Sequence, residues 1–461
     1  MMRISVLTLS LIFFIACKNN KKEVKDASGA HTPEQQENNG DGEIPADDEL
    51  LDLVQRQTFD YFWGGAEPNS GMAPERIHID GEYPQDDQDV VTTGGSGFGL
   101  MAILVGVERG FISREEALER YEKIVGFLEK ADRFHGVWPH WLYGKTGKVK
   151  AFSTRDDGGD LVETAFLVQG LLTVGEYFKD GSDKEKELVS RIDKLWREVE
   201  WNWYTKGEDV LYWHWSPEHK WEMNFPIGGY NECLVMYVLA AASPTHAITP
   251  DAYHKGWARN GDIANDTTFY ELETVLDHYE HDDAPVGPLF WAHYSHLGLS
   301  PKGLSDKYGD YWALNRNHAL INYRYATDNP EKHQGYGEDL WGLTSSYSVN
   351  GYHAHRPGDD TGVISPTAAL SSFPYTPEES MKMLRNLYGK GDSIVGKYGP
   401  YDAFSPEHNW YVERYLAIDQ GPIPVMIENY RSGLLWDLFM NNKDVQHGLT
   451  RLGFNSPYIS R

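Results

Sequence analysis

The chain has 461 residues and carries 42 Lys and Arg against 69 Asp and Glu, a formal net charge of -27 (42 − 69). That excess of negative charge argues against a nucleic-acid partner and disfavours an anionic substrate. Aromatic residues make up 13% of the chain, with 15 Trp and 28 Tyr, while two cysteines, Cys17 and Cys233, are too few for a disulfide framework.

Met1 to Cys17 reads as a signal segment: Arg3, the apolar stretch Ile4 to Ile15, then Ala16 and Cys17. A Cys directly after a small residue at the end of such a run predicts a bacterial lipobox with Cys17 as the lipid anchor, although Phe14 stands where Leu is usual. The run is too short to span a bilayer comfortably, so the only membrane association expected is through that anchor. Residues 18–48 are polar, charged and almost free of large apolar side chains, which predicts a disordered tether. No composition break follows, so residues 49–461 are expected to form one domain.

Helical patterns dominate that domain and strand signals are sparse. Three amphipathic helices are announced by capping-box starts: Ser113 to Glu116, Ser182 to Glu185, and Thr376 to Glu379 with Pro377 at the first helical position. A second kind, apolar on most faces, starts in Gly- or Pro-rich turns near Gly97, Asp160, Tyr230, Asn317, Thr367 and Ile423. Six buried helices alternating with exposed ones is the pattern of an all-α (α/α)6 barrel. Its mouth would be built from the loops ahead of the inner helices.

Those loops hold the acids and many of the aromatics. Glu232 heads an almost wholly apolar segment, where a carboxylate costs several kcal/mol (~) unless it is paired, hydrogen-bonded or protonated. A buried acid with a raised pKa is also what a general acid needs. Asp156, beside Arg155, has no local structural excuse. Asp160 has one as the N-cap of its helix, with Glu163 placed to complete a capping box. Asp419 enters a turn fixed by Pro422 and Pro424 and would complement a helix dipole. Trp138, His140, Trp141, Trp213, His214, Trp341, Asp359, Asp360, Tyr401 and Asp402 lie in the same set of loops. Carboxylates arriving from separate units at one aromatic rim suit glycoside hydrolysis of a neutral polysaccharide, which needs no cofactor. A non-catalytic glycan-binding protein is the rival reading.

Other motifs carry less. Gly97-Phe98-Gly99-Leu100-Met101-Ala102 matches a dinucleotide fingerprint in form, but no βαβ pattern surrounds it, and close helix packing explains it better. His353-Ala354-His355 and His293 with His296 lack the spacing of a zinc protease, so no metal is expected. Cys233 reads as a buried, inert thiol.

Four stretches, Phe59 to Trp63, Ser153 to Glu163, Gly228 to Glu232 and Ile418 to Pro422, resemble the glucoamylase-like family of Bacteroidetes lipoproteins. That family is glycoside hydrolase family 144, the bacterial β-1,2-glucanases, and the likeness runs in order from about Asp52 to Phe454. The resemblance implies an (α/α)6 barrel, cleavage of linear β-1,2-glucan and anomeric inversion. It also implies an exported lipoprotein of a Gram-negative bacterium, held in the periplasm or at the outer membrane. By motif, Glu232 falls on the general acid and Asp419 on the candidate base, while Asp156 and Asp160 position sugar or water. Arg155, Trp138, His140, Trp141, Tyr230, Asn231, Trp213, Trp341 and Tyr401 are the expected substrate contacts. Endo-cleavage is preferred over exo-release of sophorose.

Overall fold

The computed structural model describes residues 44–459 apart from 84 and 279–284. The signal segment, Cys17 and nearly all of the tether therefore lie outside the described residues. Among those described, no helix is long and apolar enough to cross a membrane.

Thirteen α-helices are described. In chain order they are α1 Asp47–Trp63, α2 Thr93–Glu108, α3 Arg114–Leu128, α4 Leu161–Phe178, α5 Asp183–Arg197, α6 Leu234–Ala242 and α7 Tyr311–Asp328. Then come α8 Pro366–Leu370, α9 Pro377–Lys390, α10 Ala417–Gln420, α11 Pro422–Arg431, α12 Leu434–Asn441 and α13 Lys443–Leu452. Two kinds are present, as the patterns predict. α2, α4, α6, α8 and α11 are buried on nearly every face, and α3, α5 and α9 bury one stripe only.

Both Ser113 and Ser182 complete their capping boxes with Glu116 and Glu185. Thr376 does not, because its hydroxyl bonds the Ser372 carbonyl instead, and Pro377 alone sets the start of α9. The apolar run from Ile423 to Phe439 is not one helix. Gly433, with φ +80°, breaks it between α11 and α12.

Packing follows the division. α4 lies between α2 and α6, α11 packs on α2 and α8, and the outer helices cover this layer: α1 on α2 and α11, α5 on α4, α13 on α6, α9 on α8. One expectation fails here. The helix around Asn317 is amphipathic, with Arg316 exposed, and packs as a cover. The inner place goes to the 3-10 turns Leu289–Ala292 and Ser295–Leu297. That segment is bonded to its neighbours all round. The Tyr294 carbonyl accepts from Gln169 of α4, Ser295 Oγ accepts from the Val235 N–H of α6, and His293 meets Ser372 behind α8. Asn429 of α11 donates to the Leu297 carbonyl. Apolar periodicity cannot announce a 3-10 segment held by polar side chains.

The fingerprint-like glycines prove to be packing residues. A Cβ at Gly97 would lie 2.2 Å from the Phe166 carbonyl oxygen, and one at Gly170 would lie 2.2 Å from the Gly97 carbonyl oxygen. Helices α2 and α4 thus touch backbone to backbone. Gly97→Ala is expected to cost about 3 kcal/mol by forcing them apart, read as a lower urea midpoint at unchanged slope.

Strands are short, two to six residues, and form eight small sheets among the described residues. They sit where they matter for the site. Val90–Thr92 runs straight into α2, Gly159–Asp160 into α4, and Arg414–Leu416 into α10. Cross-strand pairs then tie neighbouring units together: Gly159–Asp160 pairs with His214–Trp215, and Arg76–His78 with Arg414–Leu416.

Candidate active site

Asp160 is the structural centre of the first acid group. It ends a strand and caps α4, its Oδ1 accepting from the backbone N–H of Val162 (3.0 Å) and Glu163 (2.9 Å). Its Oδ2 accepts from His140 Nδ1 and Trp213 Nε1, both at 2.9 Å. The cap and the side-chain network are therefore one residue's two oxygens. Glu163 does not close the capping box; its Oε2 accepts from the Gly94 N–H of α2 at 2.8 Å. Burial, which disfavours an imidazolium, is outweighed at His140 by the charges of Glu163, Asp160 and Asp156, and its pKa is held up at about 10. His140 is a fixed cation amid carboxyls.

Two of those carboxyls are hard to ionise. Burial, then the Asp160 charge, pushes Asp156 up to about 7, and burial does the same to Glu163. Asp156 Oδ1 lies 3.4 Å from His214 Nε2 but has no hydrogen-bond partner among the described residues, since that nitrogen accepts from the Gly158 N–H. Arg155 points outward, paired at 3.1 Å with Glu222 on the rim.

Glu232 sits in the turn just before α6, whose first residue is Leu234 rather than Tyr230. Ser295 holds that turn by donating to the Glu232 carbonyl, and Asn231 Oδ1 accepts from the Cys233 N–H. The side chain remains partly open to solvent, yet burial pushes its carboxyl up to about 7, with the Asp160 charge adding to the shift.

Asp419, in α10, belongs to a second acid group. Only 2% of it is exposed, and Tyr294 Oη donates to its Oδ1 at 3.3 Å. The carboxyl of Asp402, 3% exposed, lies against that of Asp419, close enough to share a proton, and accepts from the Tyr347 N–H at 2.8 Å. Burial pushes Asp402 up to about 6 and, together with the Asp402 charge, pushes Asp419 well above the carboxylate range. Two buried carboxyls in contact share one proton near neutral pH and keep one negative charge between them. Tyr294 links the two groups, its hydroxyl feeling the charges of both Asp419 and Glu232.

The aromatic expectations divide. Trp213 is half-buried beside the exposed Phe225 and serves the site by its bond to Asp160. Trp141 and Phe152 wedge His140 in place, with Trp141 itself nearly buried. Tyr230 is buried, its hydroxyl donating to Asn315 and its ring against His278, so it braces the Glu232 turn from behind.

Trp138, Trp341 and Tyr401, expected to contact sugar, are instead core residues with no face for one. Trp138 donates to the Leu128 carbonyl beneath Arg133, Trp341 donates to the Glu379 carbonyl, and Tyr401 packs on Tyr415. A tryptophan in an acidic loop gives no sign of which way it faces. Tyr294 and Asp402 are the site residues that sequence reasoning left out. Asp402 stood only as a member of a loop, and Tyr294 lies in a run with no acid beside it.

His140, Asp156 and Asp160 bring one ligand atom each within 4.8 Å of one another, the one such group among the described residues. The oxygens of Asp160 are already bonded as described. His293 and His296 are buried and bonded to Ser372 and the Leu299 carbonyl. What the geometry offers chemically is a partly open carboxyl that holds its proton up to about pH 7 and, linked to it through Tyr294, a carboxyl pair that keeps a charge.

The chain matches the Glycoamylase family model, described as "Putative glucoamylase", over residues 224–443. The structure superposes on that of an endo-β-1,2-glucanase from Chitinophaga pinensis, solved with sophorotriose and glucose, with a TM-score of 0.88 and 61% identity. That match covers 90% of this chain and 100% of the other. A β-1,2-glucanase structure from Parabacteroides distasonis gives a TM-score of 0.83 at 45% identity, covering 89% of this chain and 60% of the other. An exo β-1,2-glucooligosaccharide sophorohydrolase acting at the non-reducing end, from the same organism, is 46% identical over 424 residues, 88% of this chain. The chain spans 58% of that relative's length. On full-length coverage at 61% identity, the chain belongs to the glucoamylase-like family that includes the Chitinophaga endo-β-1,2-glucanase.

Proposed function

We propose that the protein is an inverting endo-β-1,2-glucanase of glycoside hydrolase family 144, built as an (α/α)6 barrel over residues 49–461. The observation that carries this reading is Glu232, a carboxyl held near pKa 7 at a partly open position, linked through Tyr294 to a buried pair that keeps one charge. Glu232 protonates the leaving oxygen. Asp419 takes the proton of the attacking water, directly or through a substrate hydroxyl, as the proton it shares with Asp402 passes to Asp402. Asp160 and His140 fix the floor on which the sugar lies, with Asp156 beside them. Six inner segments, five of them helical, and their covers support the barrel.

Endo action is favoured by likeness: the chain is 61% identical to the Chitinophaga endo-enzyme and 46% identical to the exo-acting relative. The proposal extends to export and lipid anchoring at Cys17, on the strength of the Arg3-to-Cys17 pattern.

Incubation with linear β-1,2-glucan, starch and β-1,3-glucan, with reducing ends and product sizes followed in time, tests it. Release from the β-1,2-polymer alone, with a spread of oligosaccharides early, is expected. Sophorose as the sole early product would replace endo by exo, and release from starch alone would overturn the substrate. Binding of glucan without any release would favour a glycan-binding protein.

A further inference from the structure

The hairpin Ser345–Ser348/Gly351–Ala354 hangs over the second acid group and contributes no residue to it by side-chain acidity. Its register is pinned from below. The Tyr347 N–H donates to Asp402, the Tyr347 hydroxyl meets His78 Nε2 at 3.0 Å and Arg76 at 3.4 Å, and Ser346 Oγ bonds Ser365 ahead of α8. Tyr352 is the cross-strand partner of Tyr347, and directly opposed residues of an antiparallel pair project from the same face. Tyr352 therefore stands on the same face as the Tyr347 ring, one strand over from the backbone N–H that holds Asp402, and its hydroxyl feels the charges of Asp419 and Asp402.

Its exposure is unusual for that position. The residue is 58% exposed, the most of any large apolar or aromatic residue among those described. Burial nevertheless pushes its hydroxyl well above the usual tyrosine range, followed by the charges of Asp419, Asp402 and Glu75. The open ring thus lies beside the acid pair. Nothing in the fold explains an unpacked aromatic side chain there, since a ring of this size is stabilised chiefly by burying its faces. A pyranose ring offers the missing surface: its axial C–H bonds form an apolar face that covers an aromatic ring while its hydroxyls stay hydrogen-bonded.

We propose that Tyr352 is the aromatic platform for the glucose unit bound next to Asp419, setting substrate affinity on that side of the scissile bond. The inference rests on the glucanase reading for the identity of the sugar. Ring and hydroxyl have separable roles. The ring supplies contact area in the bound complex, and the hydroxyl lies at the edge of the acid pair. A bound sugar covering the ring also keeps bulk water from Asp419.

The test uses the full folded domain, with binding of short β-1,2-glucooligosaccharides measured by calorimetry and KM and kcat measured on linear β-1,2-glucan. Tyr352→Ala is expected to weaken binding and raise KM at least tenfold, with kcat changed less than about threefold, because uniform binding is removed. Tyr352→Phe is expected to stay within about threefold of wild type in both. An unchanged affinity in Tyr352→Ala, or a loss in Tyr352→Phe equal to that in Tyr352→Ala, overturns the platform while leaving the glucanase reading intact. Failure of the wild-type protein itself to bind these oligosaccharides overturns both. Circular dichroism and the urea midpoint of each variant separate loss of contact from loss of fold.

Discussion

Glu232→Gln is expected to lower kcat on linear β-1,2-glucan by roughly 10²–10⁴, the range general acid catalysis supplies, while the protein stays folded. The amide keeps the shape of the side chain and removes the proton. Because burial pushes Glu232 up to about 7, the acid form is populated at neutral pH and drains away above it. The alkaline limb of the wild-type rate therefore falls near pH 7. Stability moves the other way. A carboxyl whose folded pKa lies above its unfolded value opposes folding once the unfolded chain ionises and the folded site does not. For Glu232 that cost is absent below about pH 4, grows as pH rises through the interval, and is complete above about pH 7. The Gln variant should accordingly melt about 2 °C or more above wild type at pH 8, with the gain gone at pH 4. A folded variant with near-wild-type turnover would return Glu232 to a structural role.

Asp419→Asn carries the second large effect, again roughly 10²–10⁴ in kcat. Asp402 and Asp419 are buried against each other, so they hold one proton and one charge near neutral pH. That charge is what accepts a proton in the base step. It is supported by the Tyr347 N–H and Arg76 on the Asp402 side and by the Tyr294 hydroxyl on the Asp419 side, and opposed by Glu75. It is lost as pH falls through the lower step of the pair, about 6 at Asp402. With Glu232 near 7, kcat/KM should trace a narrow bell between about 6 and about 7. Steady-state rates across pH 4.5 to 9 read both limbs. A rate in Asp419→Asn within a few-fold of wild type would remove Asp419 from the base role.

What the sequence disclosed, and what it concealed, divides along physical lines. Asp160 was legible twice, as a cap before an apolar run and as an acid in a mouth loop, and its two oxygens perform both tasks. Glu232 was legible because a charge at the head of an apolar helix has no local explanation. The inner helices were legible because burial on all faces leaves an all-apolar run, and the capping boxes of α3 and α5 because their hydrogen bonds are local. Non-local partners were not. Glu163 looked like a cap completing a local motif and instead reaches Gly94 of α2, 69 residues earlier. Asp402 gains its meaning only from Asp419, 17 positions on, when a strand turns back into α10. Tryptophans misled because an indole suits a core and a sugar platform equally, and Trp138 and Trp341 take the core. The inner 3-10 segment around Tyr294 was hidden since its place is fixed by polar bonds, which leave no period in the sequence.

The most direct test of Glu232 as the proton donor compares two leaving groups in the same pair of proteins. A dinitrophenyl β-sophoroside departs without protonation, whereas a glucosyl oxygen requires it. Glu232→Gln is predicted to cleave the aryl substrate within about tenfold of wild type while losing at least about a hundredfold on linear β-1,2-glucan. An equal loss on both substrates would contradict general acid catalysis by Glu232.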